Sequence, residues 1–472
     1  MGISLNPSAI LNGQGIDVNS IVDQILSEGS GQLTEWENEQ STLQTQASAL
    51  SGINSDLSNL ATAVQALSDP LGALTSVSAT SSDNNVLTAS ASTSATAGTH
   101  QIVVSNLATQ GLIYTNDFSG GANASILPNG ATGGEIDLQI GGTTQPIQIT
   151  AGTNDTLNTL ASYINNQNLG VTASVVTDAN GSRLALTSQA TGSTGALAIT
   201  SNNTNLSFNA PSGGTNASLT IDGVPYSSAS NTISGAIAGV TLNLAQGSPD
   251  ETVQLAVGPD TTQVTNAINN FVSAYNQVIN DINQQFTVNS STNSQGPLGS
   301  DTALRSLQSS LLTDVTYSLT GNGGLVNLET LGINMNDDGT LTLGTNAEGQ
   351  SLSQVLSSNP SAVQSFFQNA TSTGFANNFN ADLTNLTDPT IGVLNVDLTQ
   401  NQQSQQDLST SINNFETQLN TEQQQLTTEY SQVNASLEAY PLLLQQTTET
   451  LATLGSNSSA TGVTSPTLTS GL

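Results

Sequence analysis

The sequence predicts an α+β multidomain protein: long N- and C-terminal helices paired as a coiled coil, with nested β-rich domains inserted between them. Three observations predict it. Between residues 408 and 454, apolar side chains recur at alternating steps of four and three: Leu408, Ile412, Phe415, Leu419, Leu426, Tyr430, Val433, Leu437, Tyr440, Leu444, Leu451 and Leu454. A period near 3.5 keeps such a stripe against a partner helix. A second heptad stripe, Leu50, Ile53, Leu57, Leu60, Val64 and Leu67, stands at the other end of the chain and is the expected partner. Between the two ends, much of the sequence consists of short alternating segments punctuated by Gly, Asn and Asp, the texture of antiparallel strands.

The first helix is expected to begin at Asp17, whose carboxylate can accept from first-turn amides, with Ile16 and Ile21 at the flanking staple positions. Gly29-Ser30-Gly31 predicts a weak break, after which Leu33, Trp36 and Leu43 resume the pattern. Asp69-Pro70 is a helix stop, so the helix reaches about 70 Å at 1.5 Å per residue. Strands are expected at 86–89 and 101–104. Residues 135–140 and 146–149 form a hairpin around Gly141-Gly142. An amphipathic helix at 155–165 follows, then strands at 171–176, 184–186 and 197–199 around Asn180-Gly181, a β-β-α-β-β-β module. Further strands at 217–221, 240–244 and 253–257 surround the turn Asp222-Gly223.

Helix returns after Pro259. Val264, Ala267, Ile268, Phe271, Val272, Tyr275, Val278, Ile279 and Ile282 make one broad apolar face. A helix at about 301–319 and a hairpin at Asp338-Gly339 complete the middle. The C-terminal stripe carries a stutter through Glu422 and Leu426, which loosens supercoiling. Pro441 should kink or split that helix, leaving the part before it in the stable core and the part after it, with the polar tail 456–472, as an adaptable and mobile end. The expected division is 1–72 helical, 73–112 first part of a β-rich head, 113–212 an inserted outer β-rich domain, 213–258 second part of the head, 259–400 a helical core with a hairpin, and 401–472 the coiled coil and tail.

Composition excludes several functions. The chain has 472 residues with 34 acids against two arginines, Arg183 and Arg305, and a formal charge of −32. The basic footprint of nucleic-acid binding is absent, and so is the means of electrostatic attachment to anionic lipid. Absence of cysteine removes disulfides, thiol catalysis and thiolate metal sites. No apolar run is long enough to span a bilayer, so no membrane insertion is expected. Residues 1–7 lack the basic and apolar regions of a secretory signal, which leaves a cytoplasmic protein or export by a route without a cleaved signal. The scarcity of cations has two readings: compositional drift in a Ser/Thr/Asn-rich exported protein, or an acidic working environment in which carboxylates are partly protonated.

The ordered series of segments resembles the bacterial flagellar filament cap protein family, hook-associated protein 2. The resemblance is carried by Gly13-Gln14-Gly15-Ile16-Asp17-Val18-Asn19-Ser20-Ile21-Val22, by Leu67-Ser68-Asp69-Pro70 with residues 77–89, and by residues 97–108. Residues 157–164 followed by 184–192 are similar to a short module shared by flagellin and hook proteins. Ile221-Asp222-Gly223, Asn231-Thr232-Ile233 and Gly239-Val240-Thr241-Leu242 continue the series. Asn270-Phe271-Val272-Ser273-Ala274-Tyr275-Asn276, Gly299-Ser300-Asp301 with Leu304-Arg305, and Leu331-Gly332-Ile333 with Asp338-Gly339-Thr340-Leu341 come next. Pro360-Ser361-Ala362-Val363 with Phe366-Phe367 closes it. The resemblance implies a secreted, extracellular protein at the distal filament tip, assembled as a ring of five or six subunits. It implies flagellin as partner, together with the flagellar export apparatus and a cytoplasmic export chaperone. Two departures stand out: members usually carry many more Lys and Arg, and Pro441 interrupts the C-terminal stripe.

No chemistry emerges from the remaining motifs, and no enzyme activity, cofactor or metal is expected. His100 lacks an accompanying nucleophile motif. Asn334-Met335-Asn336-Asp337-Asp338-Gly339 only partly mimics a calcium loop, with Thr345 where a bidentate Glu belongs. Glu35, Glu37 and Glu39 step by two and do not converge on one helical face. Arg305 is expected either to serve its own helix surface or an ion pair, or to form a subunit contact. The residues expected to carry coiled-coil pairing and assembly are Leu50, Leu57, Leu60, Val64, Leu67, Ile412, Phe415, Leu419, Leu426, Tyr430, Val433 and Leu437. The rival functions are another axial protein (flagellin or a hook–filament junction protein) and a surface adhesin using the β-rich middle.

Overall fold

A computed structural model of the chain describes residues 16–291, 294–369, 371 and 373–458. The small-residue turn at 13–15 and the tail residues 459–472 lie outside the described residues. The first helix, α1 (Val18–Ser68), is capped by Asp17, whose side chain accepts from the Ser20 amide at 3.2 Å. It runs without interruption through Gly29-Ser30-Gly31, so the expected break is absent. Its C-terminus is held by Gln368, whose amide donates to the carbonyls of Leu67 (2.7 Å) and Asp69 (2.6 Å).

The β-rich part has two separate hydrophobic cores. The first lies between a five-stranded sheet and a three-stranded sheet. The larger sheet has the order β1-β14-β3-β10-β11, formed by β1 (Val77–Ser81), β3 (Gly98–Asn106), β10 (Ala217–Ile221), β11 (Val224–Ser228) and β14 (Val253–Pro259). The smaller has the order β12-β13-β2, from β2 (Leu87–Ala91), β12 (Thr232–Ile237) and β13 (Val240–Leu244). Ile102, Val104, Leu219, Leu242 and Leu255, one per alternate position, are buried between them.

The second β core is inserted between β3 and β10. It uses β4 (Gln110–Tyr114), β5 (Gly133–Ile140), β6 (Thr143–Thr150), β7 (Val171–Asp178), β8 (Gly181–Thr191) and β9 (Leu197–Asn202), paired as β4-β8-β7 and β6-β5-β9. The helix α2 (Leu157–Asn166) buries Leu157, Leu160, Ala161 and Ile164 against it. This helix starts later than its spacing suggests, because Thr156 and Thr159 form a capping box. Asp155 instead accepts from the Ser125 hydroxyl at 2.9 Å. Gly141 and Gly142 have φ of 56° and 90°, the left-handed backbone their hairpin requires.

The third core is helical. It gathers α3 (Thr261–Phe286), α4 (Thr302–Val315), α5 (Leu352–Ser358), α6 (Pro360–Phe367), α7 (Phe375–Leu386), the start of α8 (Val393–Ser458) and the C-terminal half of α1. All nine apolar residues named on α3 are buried. The helix α4 ends at Val315, short of 319; Leu319 instead donates its amide to the Val326 carbonyl at 2.7 Å. A small hairpin, β15 (Ile333–Met335) with β16 (Leu341–Leu343), packs beside α3, fixed by Asn276, whose side chain bonds both polar groups of the Leu341 backbone. Phe271, Phe366, Phe367, Phe375 and Phe379, all at most 1% exposed, form a continuous ring cluster.

The helix α8 continues through Pro441 to Ser458. The expected split is therefore absent. Proline removes one amide donor, while the neighbouring turns keep theirs, and at this half-buried position on a largely exposed stretch of helix water can serve the carbonyl left over.

Candidate functional site: the paired terminal helices

The helices α1 and α8 run antiparallel, and a ladder of contacts fixes their register. The Ile16 amide donates to Asn434 Oδ1 at 2.5 Å. A Cβ on Gly29 would stand 3.4 Å from Leu419 Cδ2. Trp36 meets Phe415 edge to face, 5.5 Å between ring centroids. Gln405 donates to the Leu43 carbonyl (3.4 Å), Asn401 to Gln46 (3.4 Å), and Asn54 to Asn395 (3.1 Å). Gly29 thus lies beside Leu419 with room for a methyl group between them, and the helix runs on across the glycine-rich stretch.

That register corrects the expected pairing. The seam beginning at Leu408 lies against the N-terminal half of α1, not against Leu50 to Leu67. The reason is where α8 starts. Asn395 is already opposite Asn54, so α8 supplies nothing to cover positions 57 to 67. Leu57, Leu60, Val64 and Leu67 are instead fully buried in the helical core among residues of α3 and α7. Leu50 (3% exposed) sits at the junction.

Along α8 the burial decays. Ile412 is 9% exposed, Phe415, Leu419, Leu426, Tyr430 and Leu437 are half-buried, and Val433 is 45% exposed. Beyond Asn434, where α1 begins opposite, the helix extends about 36 Å to Ser458 at 1.5 Å per residue. This extension displays Tyr440, Leu442, Leu443, Leu444, Leu451 and Leu454, each exposed. Sequence reasoning found the stripe; that its distal third is left uncovered by α1 follows only from the register.

The other singled-out residues have local partners. Arg305 donates to the Gly299 carbonyl (2.8 Å) and lies 4.5 Å over the Phe286 ring. Arg183 pairs with Asp117 at 2.5 Å and with Asp178 at 3.3 Å; the hydrogen bond to the guanidinium holds the Asp117 carboxyl below the usual range. His100 Nδ1 bonds Asp222 Oδ2 at 2.7 Å, and that contact, with the Gln101 amide, likewise lowers Asp222. Asp338 lies in the β15–β16 turn, accepting from the Thr340 amide and hydroxyl. Among the described residues no group of three His, Cys, Asp or Glu side chains could hold a metal.

A molecule of paired terminal helices, two separate β-rich cores and an exposed apolar helix end belongs to the class of structural assembly proteins. The comparisons specify which. Residues 14–111 match the family described as Flagellar hook-associated protein 2 N-terminus, residues 214–440 its C-terminus, and residues 135–190 the Flagellin hook IN motif. The B-type flagellar hook-associated protein 2 of Pseudomonas aeruginosa is 28% identical over 382 residues, covering 74% of this chain and 78% of that protein. The flagellar hook-associated protein 2 of Escherichia coli is 30% identical over 177 residues, 37% of each. The crystal structure of the E. coli flagellar cap protein FliD, domains D1-D2-D3, superposes with a TM-score of 0.56 at 27% identity, covering 75% of this chain and 99% of that one. The chain belongs to the flagellar hook-associated protein 2 family. It is a filament cap protein, extracellular at the distal tip of the flagellum.

Proposed function

We propose that this protein caps the filament as a ring of five or six copies, under which flagellin subunits insert and polymerise without leaking away. The carrying observation is the continuous α1–α8 pair, buried at its root in the helical core and open at its tip. The root is a rigid support. The tip, with exposed Tyr440, Leu444, Leu451 and Leu454, is an adaptable apolar surface for flagellin. Contacts between lone apolar side chains on helix surfaces are worth only tenths of a kcal/mol each, which suits a joint that must break and reform as each subunit adds. The residues proposed to hold the pair are Ile412, Phe415, Leu419, Leu426, Tyr430, Val433 and Leu437, with Leu50, Leu57, Leu60, Val64 and Leu67 anchoring it in the core. Arg305, exposed and one of two cations among 34 acids, is proposed as a subunit contact. Its replacement by Ala should lower the oligomer mass while leaving the monomer folded.

The proposed division of labour follows the expected domains: 1–72 and 401–472 form the stalk, 73–112 with 213–258 the head, 113–212 the outer domain and 259–400 the helical core. The protein reaches the tip through the flagellar export apparatus, escorted by a cytoplasmic chaperone. The reading assigns it no catalysis. Deleting the gene and assaying motility and secreted flagellin tests it. Lost motility with monomeric flagellin in the medium is expected, rescued by the full chain and not by one ending before Tyr440. Normal filaments in the deletion strain would refute the reading.

A further inference from the structure

The helical core contains three carboxyl pairs that bridge different helices. Asp56 on α1 meets Asp281 on α3, Asp314 on α4 meets Asp382 on α7, and Asp397 on α8 faces Asp301, the N-cap of α4. The groups around them are neutral. Tyr275 of α3 faces Asp314. Asn59 of α1 bonds Asp56, and Gln277 of α3 donates to Asp281 at 3.1 Å. Around Asp397, α1 presents Leu43, Gln46 and Leu50. Arg305 sits on the same helix as Asp314 but gives its guanidinium to Gly299 and Phe286. Asp314 Oδ2, Asp397 Oδ2 and the Tyr275 hydroxyl are buried with no hydrogen-bond partner. Like charges this close repel, and the buried, unpartnered oxygens of Asp314 and Asp397 are also poorly solvated, while Asp382 stays exposed. One proton shared within Asp56–Asp281 or Asp314–Asp382 makes a hydrogen bond and removes the repulsion, and a proton on Asp397, which faces Asp301 through charge alone, does the same there.

We propose that these pairs are proton-operated latches: they hold α1, α3, α4, α7 and α8 together when each pair carries a proton, and loosen the core when both members ionise. Asp56 and Asp397 lie on the two helices that continue as the stalk, so the latch state sets how firmly the stalk is rooted. Asp56 also borders an open groove between α1 and α3, which gives water and protons access.

The electrostatics set the working range. Burial, then the Asp382 carboxyl, push Asp314 up to about 7; burial, then Asp281, push Asp56 up to about 6. Burial, then Asp301, raise Asp397 as well. In an unfolded chain these groups titrate near ~3.9. The folded state therefore binds more protons between those limits, and stability falls as pH rises through 6 and 7. Lowered carboxyls such as Asp117 and Asp222 act oppositely, losing stability only as pH falls below about 4.

The test unfolds the full chain with denaturant at fixed pH between 5 and 8 while a pH-stat counts protons. Unfolding at pH 6 should release about one to two protons per chain, and the unfolding midpoint should climb steadily from pH 8 to pH 5. Asp314→Asn and Asp56→Asn, which mimic the protonated form, should raise the midpoint at pH 8 and flatten its pH dependence. No proton release from the wild-type chain, with a midpoint level across this range, would overturn the proposal. Asn variants that fold yet keep the wild-type slope would do the same.

Discussion

The same two helices are treated differently at their two ends. At the core end, Leu57, Leu60, Val64 and Leu67 on α1 and Leu394 on α8 are completely buried, surrounded by α3, α7 and the phenylalanine cluster. At the stalk end, among the described residues, the two helices pack on each other, and a two-helix pair can cover one stripe per helix but not its flanks. Ile21, Val22 and Ile412 are buried there, while Phe415, Leu419 and Tyr430 stay partly open. Both places carry an apolar heptad stripe, the stalk's broken only by the stutter at Glu422 and Leu426, so the presence of a stripe alone does not set stability. The number of elements packed around the stripe does. Burial of a Leu or Phe side chain stabilises by about 1.5–3 kcal/mol when complete, and the stalk obtains only part of that per residue.

The comparison breaks most decisively at Phe271. It touches Tyr275, Phe375 and Phe379, so Phe271→Ala should cost about 3–5 kcal/mol, read as a lower urea midpoint by far-UV circular dichroism. Phe415→Ala, in the stalk, should lose the edge-to-face contact with Trp36 and cost about 0.5–1.5 kcal/mol beyond the lost area, with the main unfolding transition barely moved. Trp36 is the single tryptophan, so its fluorescence reports the stalk alone; it should change at lower urea than the circular dichroism signal. Gly29→Ala should strengthen the stalk by about 0.5–1 kcal/mol through helix propensity, since the new methyl meets Leu419 at 3.4 Å. Smallest of all, Leu451→Ser with Leu454→Ser should leave stability within about 0.5 kcal/mol. This last pair separates folding from function: motility should fall although the protein folds normally.

Much of the fold was legible in the sequence. The apolar face of α3 could be read residue by residue because a helix buried on one broad side leaves an unambiguous 3.6-residue pattern. The turns at Gly141-Gly142 and Asp222-Gly223 were legible because left-handed backbone restricts the residue types allowed; Asp222 and Gly223 have φ of 52° and 82°. The strands β1, β4 and β11 were missed for a physical reason. All three are edge strands: β1 has no fully buried residue, β4 buries only Gly111 and Ile113, and β11 exposes Val224 and Tyr226, so no clear apolar alternation marks them. The short helices α5, α6 and α7 were missed too, since each offers only three or four buried side chains and draws its stability from the core.

The candidate site was half legible. Its apolar stripe was visible, but its register was not, because a heptad specifies that a partner exists and not which stretch it is. Here the register depends on where α8 begins, a consequence of the packing of α7 and the turn at Asp388, whose carboxylate accepts from the amides of Thr390 (2.7 Å) and Ile391 (2.9 Å). The carboxyl pairs left no local trace, since Asp314 and Asp382 come from separate helices and meet only in the folded core.

Native-state hydrogen exchange of the full chain, followed by mass spectrometry, tests the rooted-core and open-stalk account most directly. Amides of residues 264–282 and 50–67 should exchange only through global unfolding. Those of 18–43 and 412–437 should exchange through cheaper local opening, and those of 442–454 fastest among the helical segments. Equal protection along the whole length of α1 and α8 would contradict the account.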